Sequence, residues 1–260
     1  MGFGIRAADY DTIADGYDRR YGLHAYAGIE RTLIGFVGPA EPQVVLEVGC
    51  GTGHWLQVLA SRSVFVAGVD PSARMLARAR AAVPAAHVIR ARAEDLPWGR
   101  GAFDRVFCVN AAHHFANRGR FFVEASRILR SGGGVLVAGR EPPSEADRWW
   151  VYEYFEETRA IDRARYATGA TIQAEMAAAG FVRCITSEAD HLHEAILARA
   201  ALETGVVDRR FTSQLSVLSD AQFNRGVRRL RDAMDATQAA GRELMLAADV
   251  RFEATIGWVP

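Results

Sequence analysis

Residues Val44 to Trp55 read VVLEVGCGTGHW, and this stretch decides how the rest of the chain is understood. An apolar run leads into Glu47, glycines then alternate at 49, 51 and 53, and a helix-compatible segment follows. A run of this kind fits a strand buried on both faces of a parallel sheet. Glycines crowded at its end let backbone approach a ligand closely, with the N–H groups of the next helix beyond them. Working outward, VFVAGVD (64–70), HVIRA (87–91), FDRVFCVN (103–110) and GVLVAG (134–139) are further Val-rich strand candidates. Helices are expected over His54–Ser61, Ser72–Ala82 and Arg118–Leu129, with Ser72 as an N-cap and Gly132 to Gly134 stopping the third. This alternation predicts an open α/β sheet with right-handed crossovers. In such sheets ligands bind beyond the carboxyl ends of the strands, and the next strand ends on Asp70, where nucleoside-binding folds keep a carboxylate for ribose hydroxyls. The glycine spacing is G-x-G-x-G, not the G-x-G-x-x-G of dinucleotide binders, which argues against a dehydrogenase.

Composition narrows the classes. The chain has 260 residues, half of them hydrophobic, enough for one large domain with a sizeable core. Basic and acidic residues balance at 31 each, so no overall field points to nucleic acid or an anionic membrane. Lysine is absent, which removes Schiff-base and lysine-base chemistry. Cys50, Cys108 and Cys184 are odd in number and widely spaced, and fit a reduced protein better than a disulfide scaffold. No apolar run approaches membrane-spanning length and the amino terminus has no apolar leader core, so the expectation is a cytoplasmic protein with no membrane partner.

Past residue 141 the pattern changes. A charged, aromatic segment over 142–167 is expected to be mostly helical, with a helix over 171–179 ended by Gly180 and a strand over 181–190. Two more helices are expected at 193–203 and 219–238, the second opening on a Ser-Asp cap, before a final strand in LMLAADVRFEATIGWVP.

The sequence resembles the class I S-adenosylmethionine-dependent methyltransferases, in its small-molecule, methyltransferase-domain form. LEVGCGTGHW is similar to their first motif, VDPSARML to the second, AEDLPWGRGAFDRVFCVNAAHHF to the third, and LRSGGGVLVAG to the end of the fifth strand. The resemblance spans roughly residues 10 to 140 and implies a Rossmann-like, seven-stranded, mostly parallel sheet with helices on both faces and an antiparallel C-terminal hairpin. It implies S-adenosyl-L-methionine as cofactor, with Glu47 ahead of the glycine loop of Gly49, Cys50, Gly51 and Gly53. Asp70 would hold the ribose hydroxyls, Met75 would pack near the adenine, and Asp95 would accept from the adenine amine beside Leu96. Pro71, Glu94 and Asn110 complete the pocket on the same grounds, and Tyr17 and Tyr21, in YDTIADGYDRRY, would belong to a cover over the cofactor. One domain over 1–260 is expected: cofactor-covering helices at 1–40, a cofactor-binding core at 41–140, and substrate-lid insertions at 141–170 and 191–245.

Methyl transfer is an in-line displacement, so positioning supplies much of the catalysis and a base is needed only where the acceptor loses a proton. His113 and His114, at the end of the fourth strand, are the candidates for that base, or else simply order the loop. His191 and His193 lack companions at ligand spacing in the sequence and read as a solvated strand end, so no metal is expected. In RWWVYEYFEE, Trp149, Trp150 and Tyr154 read either as a core stripe or as a lid for a flat, apolar acceptor. The tetrad that grips a flipped base in base-modifying relatives is replaced by NAAH, and the arginines at 225, 228, 229 and 231 read as a solvated helix face. A small-molecule acceptor, natural-product-like or metabolic, follows, with no nucleic-acid partner and a monomer or homodimer. The alternative is a non-catalytic cofactor-binding or scaffolding protein that keeps the pocket.

Overall fold

The computed structural model describes residues 10–38, 43–62, 65–144 and 147–260; Val64 and the expected cover and insertion residues at 1–9, 39–40 and 145–146 lie outside them. The chain divides into two compact units. The sheet unit comprises Tyr26–Glu141, Tyr166–Asp190 and Arg251–Pro260, and the helical unit comprises Met1–Ala25, Pro142–Arg165 and His191–Val250.

In the sheet unit, β1 (Val44–Val48), β2 (Phe65–Asp70), β3 (His87–Arg90), β4 (Phe103–Val109) and β5 (Leu129–Gly139) form a parallel sheet in the order β3-β2-β1-β4-β5. Winding runs outward from β1 to β3 and then restarts on the other side of β1 at β4. The switch point, where an open sheet leaves a crevice, therefore lies between the carboxyl ends of β1 and β4. The two-residue strand β6 is Arg148–Trp149, and two long strands follow, β7 (Val182–Leu197) and β8 (Met245–Trp258). β8 runs antiparallel to β5, from Gly134 opposite Trp258 to Gly139 opposite Glu253, and β7 pairs with β8 as the C-terminal hairpin. The expected Rossmann-like fold is the one observed.

Helices close both faces. Ala27–Val37, His54–Ala60 and Ala73–Ala82 pack against one another in one layer, and Arg118–Ile128 packs on Gly169–Ala178 in the other. Because strand side chains alternate, Leu46 and Val48 turn into the second layer's core with Phe121, Phe122, Ile128 and Met176. Ser72 caps Ala73–Ala82 as expected, accepting from the Met75 N–H at 3.1 Å. Two elements depart from expectation. The helix before β5 ends at Ile128, and Gly132 to Gly134 lie within the strand. Two of them are there for packing, since a Cβ on Gly134 would sit 2.8 Å from the Trp258 ring and one on Gly133 2.7 Å from the Arg130 carbonyl, while Gly132 takes a left-handed φ of 72°. The helix expected at 193–203 begins only at Ala198, because pairing with β8 carries β7 through to Leu197.

The helical unit has its own core of Trp150, Val151, Phe155, Leu215, Leu218 and Leu230. Its longest helix, Asp220–Ala239, opens on a capping box between Ser219 and Gln222. β6 pairs antiparallel with residues 248–249 of β8. No helix among the described residues is long and apolar enough to cross a membrane.

Candidate functional site

The loop after β1 is built from backbone that only glycine adopts easily. Gly49, Gly51 and Gly53 have φ of 78°, 51° and 89°. At Gly49 a side chain is excluded twice over, since its Cβ would lie 2.4 Å from the Ala111 Cβ. The loop is held by the Val69 carbonyl, which accepts from the N–H groups of Gly49 and Cys50 at 2.8 and 3.0 Å. Asp70, at the tip of β2, completes the clamp: its two oxygens accept from the N–H of Gly51 at 3.0 Å and of Ser72 at 2.8 Å. The carboxylate is thereby fixed in orientation.

Glu47 lies on the opposite face of β1 from Leu46 and Val48 and is 1% exposed. Its Oε2 is buried with no hydrogen-bond partner. Burial, and then the nearby Asp70 charge, push its carboxyl well above the usual range, opposed by the Leu56 N–H. A buried carboxyl oxygen without a partner calls for a donor.

The third piece follows β3. Asp95 is exposed, on a short turn closed by its N–H to the Arg92 carbonyl at 3.2 Å, and Leu96 beside it is buried. The sequence reading missed what positions this turn. Glu124 accepts the Leu96 N–H at 3.1 Å, and Arg127, bonded to Glu124 at 2.6 Å, donates to the Leu96 and Trp98 carbonyls. The Arg127 guanidinium holds Glu124 below the usual carboxylate range. The signal was available: an acid and an arginine three apart on one helix face, facing a turn with unpaired backbone groups. Glu94 has a local role, accepting the Asn117 N–H at 3.1 Å, and Pro71 is exposed. Met75 and Cys50 point into the core, 0% and 4% exposed.

Beyond β4, Asn110 takes a left-handed φ of 52° and leads into His113 and His114, whose ring centroids are 3.9 Å apart. His113 also stacks on Tyr166 at 4.2 Å and 22°. His113 and Tyr166 line a shallow cleft within the sheet unit together with Asn110, Arg118, Glu141 and Glu253. Arg118 is held by a bidentate pair with Glu175 at 2.9 and 3.0 Å. Glu141 accepts the Gly169 N–H at 2.6 Å, while burial and the Glu141 charge push Glu253 up.

The remaining predicted residues belong to the helical unit. Tyr17 stands edge-on to Tyr10, with the Arg20 guanidinium 3.7 Å from its ring centre, and Tyr21 is half-buried. Trp150 and Tyr154, 4% and 7% exposed, are part of that unit's core, and Trp149 is half-buried at its edge. His191 and His193 meet a companion that sequence spacing could not show, Asp249 on β8.

Glu47 on β1, Asp70 at the tip of β2 and Asp95 after β3 are hydrogen-bond acceptors, and the resemblance implies the ammonium, ribose hydroxyls and adenine amine of S-adenosylmethionine as their donors. A family profile described as "Methyltransferase domain" matches residues 46–137, which holds all three. The chain is 32% identical over 111 residues to a phthiotriol/phenolphthiotriol dimycocerosates methyltransferase of Mycobacterium leprae, 41% of each chain. It is 33% identical over 107 residues to a tRNA U34 carboxymethyltransferase of Hahella chejuensis, 39% of this chain and 33% of that one. The match thus spans less than half the length of these two relatives. A methyltransferase from an antibiotic biosynthesis pathway of Anabaena variabilis shares the fold, with a TM-score of 0.66 at 21% identity over 87% of this chain and 96% of that one. Residues 46–137 thus match a methyltransferase domain, and on this and on its sheet order the chain is similar to the class I S-adenosylmethionine-dependent methyltransferases.

Proposed function

We propose that this protein transfers the methyl group of S-adenosylmethionine to a small-molecule acceptor, natural-product-like or metabolic, taken up in the cleft beyond β4. When bound, the cofactor supplies an electrophilic methyl on a sulfonium. Everything else is the work of the chain. The 49–53 loop and Asp70 hold the ribose end, Asp95 the adenine amine, and Glu47 the ammonium. An ammonium there would supply the donor that the buried Glu47 Oε2 lacks and would oppose the burial and the Asp70 charge that push its carboxyl up.

The observation that carries the acceptor reading is the stacked His113–Tyr166 pair lining a cleft on the same edge as the glycine loop. Stacking fixes the imidazole plane, as a proton acceptor within reach of an acceptor heteroatom requires. A nucleic-acid acceptor is disfavoured by the basic helix, where Arg225 pairs with Glu157 at 2.6 Å and Arg229 with Glu156 at 3.2 Å. Such arginines are already neutralised and offer little to a phosphate backbone. The setting proposed is cytoplasmic, as a monomer or homodimer.

The test is S-adenosylhomocysteine formation with a panel of small hydroxyl, amine and carbon acceptors, set beside a tRNA pool. Turnover on a small acceptor, lowered about 10²-fold or more in His113→Ala with S-adenosylhomocysteine affinity kept, supports the reading. Tight cofactor binding with no turnover on any acceptor favours the scaffolding alternative, and turnover on tRNA alone overturns the acceptor class.

A further inference from the structure

We infer that His191, His193 and Asp249 form a solvent-facing site for a divalent transition metal of the zinc class, separate from the methyl-transfer chemistry. Residues two apart on a strand point the same way, so β7 presents both imidazoles on one face. β8, its pairing partner, brings Asp249 alongside. The three donor atoms lie within 4.8 Å of one another. His191 Nε2 is 2.6 Å from Asp249 Oδ1, and His193 Nδ1 is 3.5 Å from Oδ2. Donors at zinc-ligand distances around a tetrahedral ion stand about 3.3 Å apart, so small side-chain rotations would bring the three into ligating geometry. Two imidazoles and one carboxylate favour zinc and its neighbours over magnesium or calcium, which prefer all-oxygen shells.

Exposure fits a metal site better than a buried ion pair. The side chains are 31%, 79% and 41% exposed for His191, His193 and Asp249. A pair alone needs one histidine, and the second, mostly in solvent, gains little from a surface carboxylate. As a third ligand it closes a three-protein-ligand set that leaves one position for water or an exogenous donor. Both strands are held in the hairpin, so the ligands are presented by paired backbone.

The experiment is titration of chelator-treated full-length protein with Zn²⁺ in competition with a chromophoric chelator, and with Co²⁺ followed by visible absorption. One equivalent of Zn²⁺ and a tetrahedral Co²⁺ band are expected. His193→Ala and Asp249→Ala should each weaken binding at least about tenfold, while His87→Ala, at an exposed position on β3, should not. His193 is so exposed that its replacement leaves the fold intact, which circular dichroism checks. Absence of stoichiometric binding, or binding indifferent to both the His193 and Asp249 replacements, overturns the site.

Discussion

At the scale of single residues, Glu47 is a buried carboxyl kept at the expense of stability. Its folded carboxyl titrates well above the usual range, because burial and Asp70 oppose its charge. A raised carboxyl pKa means the folded state holds the proton more tightly, so its favourable contribution is complete below the unfolded value and is lost as pH rises toward the folded one. Glu47→Gln should therefore gain stability relative to wild type as pH climbs above about 4.5, in urea unfolding at pH 5 and pH 8, while binding S-adenosylmethionine more weakly. A stability difference independent of pH would show that the carboxyl is not held neutral. Trp150 gives a second prediction. As a core residue of the helical unit, its replacement by Ala should cost about 3–5 kcal/mol in denaturant unfolding. A change under about 1 kcal/mol would restore the lid reading of that aromatic run. Glu47 and Asp70 were legible in the sequence because a carboxylate at a strand end has few structural uses. The aromatic run was not, since one periodicity serves both a core stripe and a lid, and only burial separates them.

Among the elements, the turn after β3 depends on a helix it never touches in sequence. Arg127 ties the Leu96 and Trp98 carbonyls to Glu124, which is 3% exposed. Arg127→Ala removes the nearer of Glu124's two arginine partners, leaving Arg120 at 3.3 Å and the Leu96 N–H, and a cost of about 1–3 kcal/mol is expected, with weaker cofactor binding through a loosened Asp95 turn. Glu124 is depressed below the ordinary value of 4.5, so its contribution is present above that pH and lost on acidification; the variant's penalty should shrink as pH falls below 4.5. Equal penalties at pH 4 and pH 7 would contradict this. Elements β1 to β4 were readable because strands buried on both faces are apolar throughout. β7 was not readable past residue 190: HEAIL has good helix formers, and pairing with β8 overrides local propensity. The glycines of β5 were misread for a related reason, since a helix stop and a seat for Trp258 look alike until the partner strand is known.

For the molecule as a whole, the division into two units separates a sheet whose pocket is legible in its motifs from a helical unit whose role the sequence does not state. Cysteine chemistry can follow the sheet unit's opening. Cys50 and Cys108 are buried, with thiols pushed well above the usual range and up to about 12, whereas Cys184 is part-exposed. A maleimide should label Cys184 first, and the other two only at the rate of unfolding. The account's central claim is the cofactor pocket, and Asp95 tests it most directly. Asp70 also clamps Gly51 and Ser72, so its removal confounds binding with loop stability. The Asp95 carboxylate is exposed, and its replacement leaves the core untouched. Titration calorimetry with S-adenosylhomocysteine should show one site on the wild type, weakened by about 1.5–3 kcal/mol, roughly ten- to hundredfold, in Asp95→Ala. A wild type that does not bind, or an Asp95→Ala variant that binds equally well, would contradict the assignment.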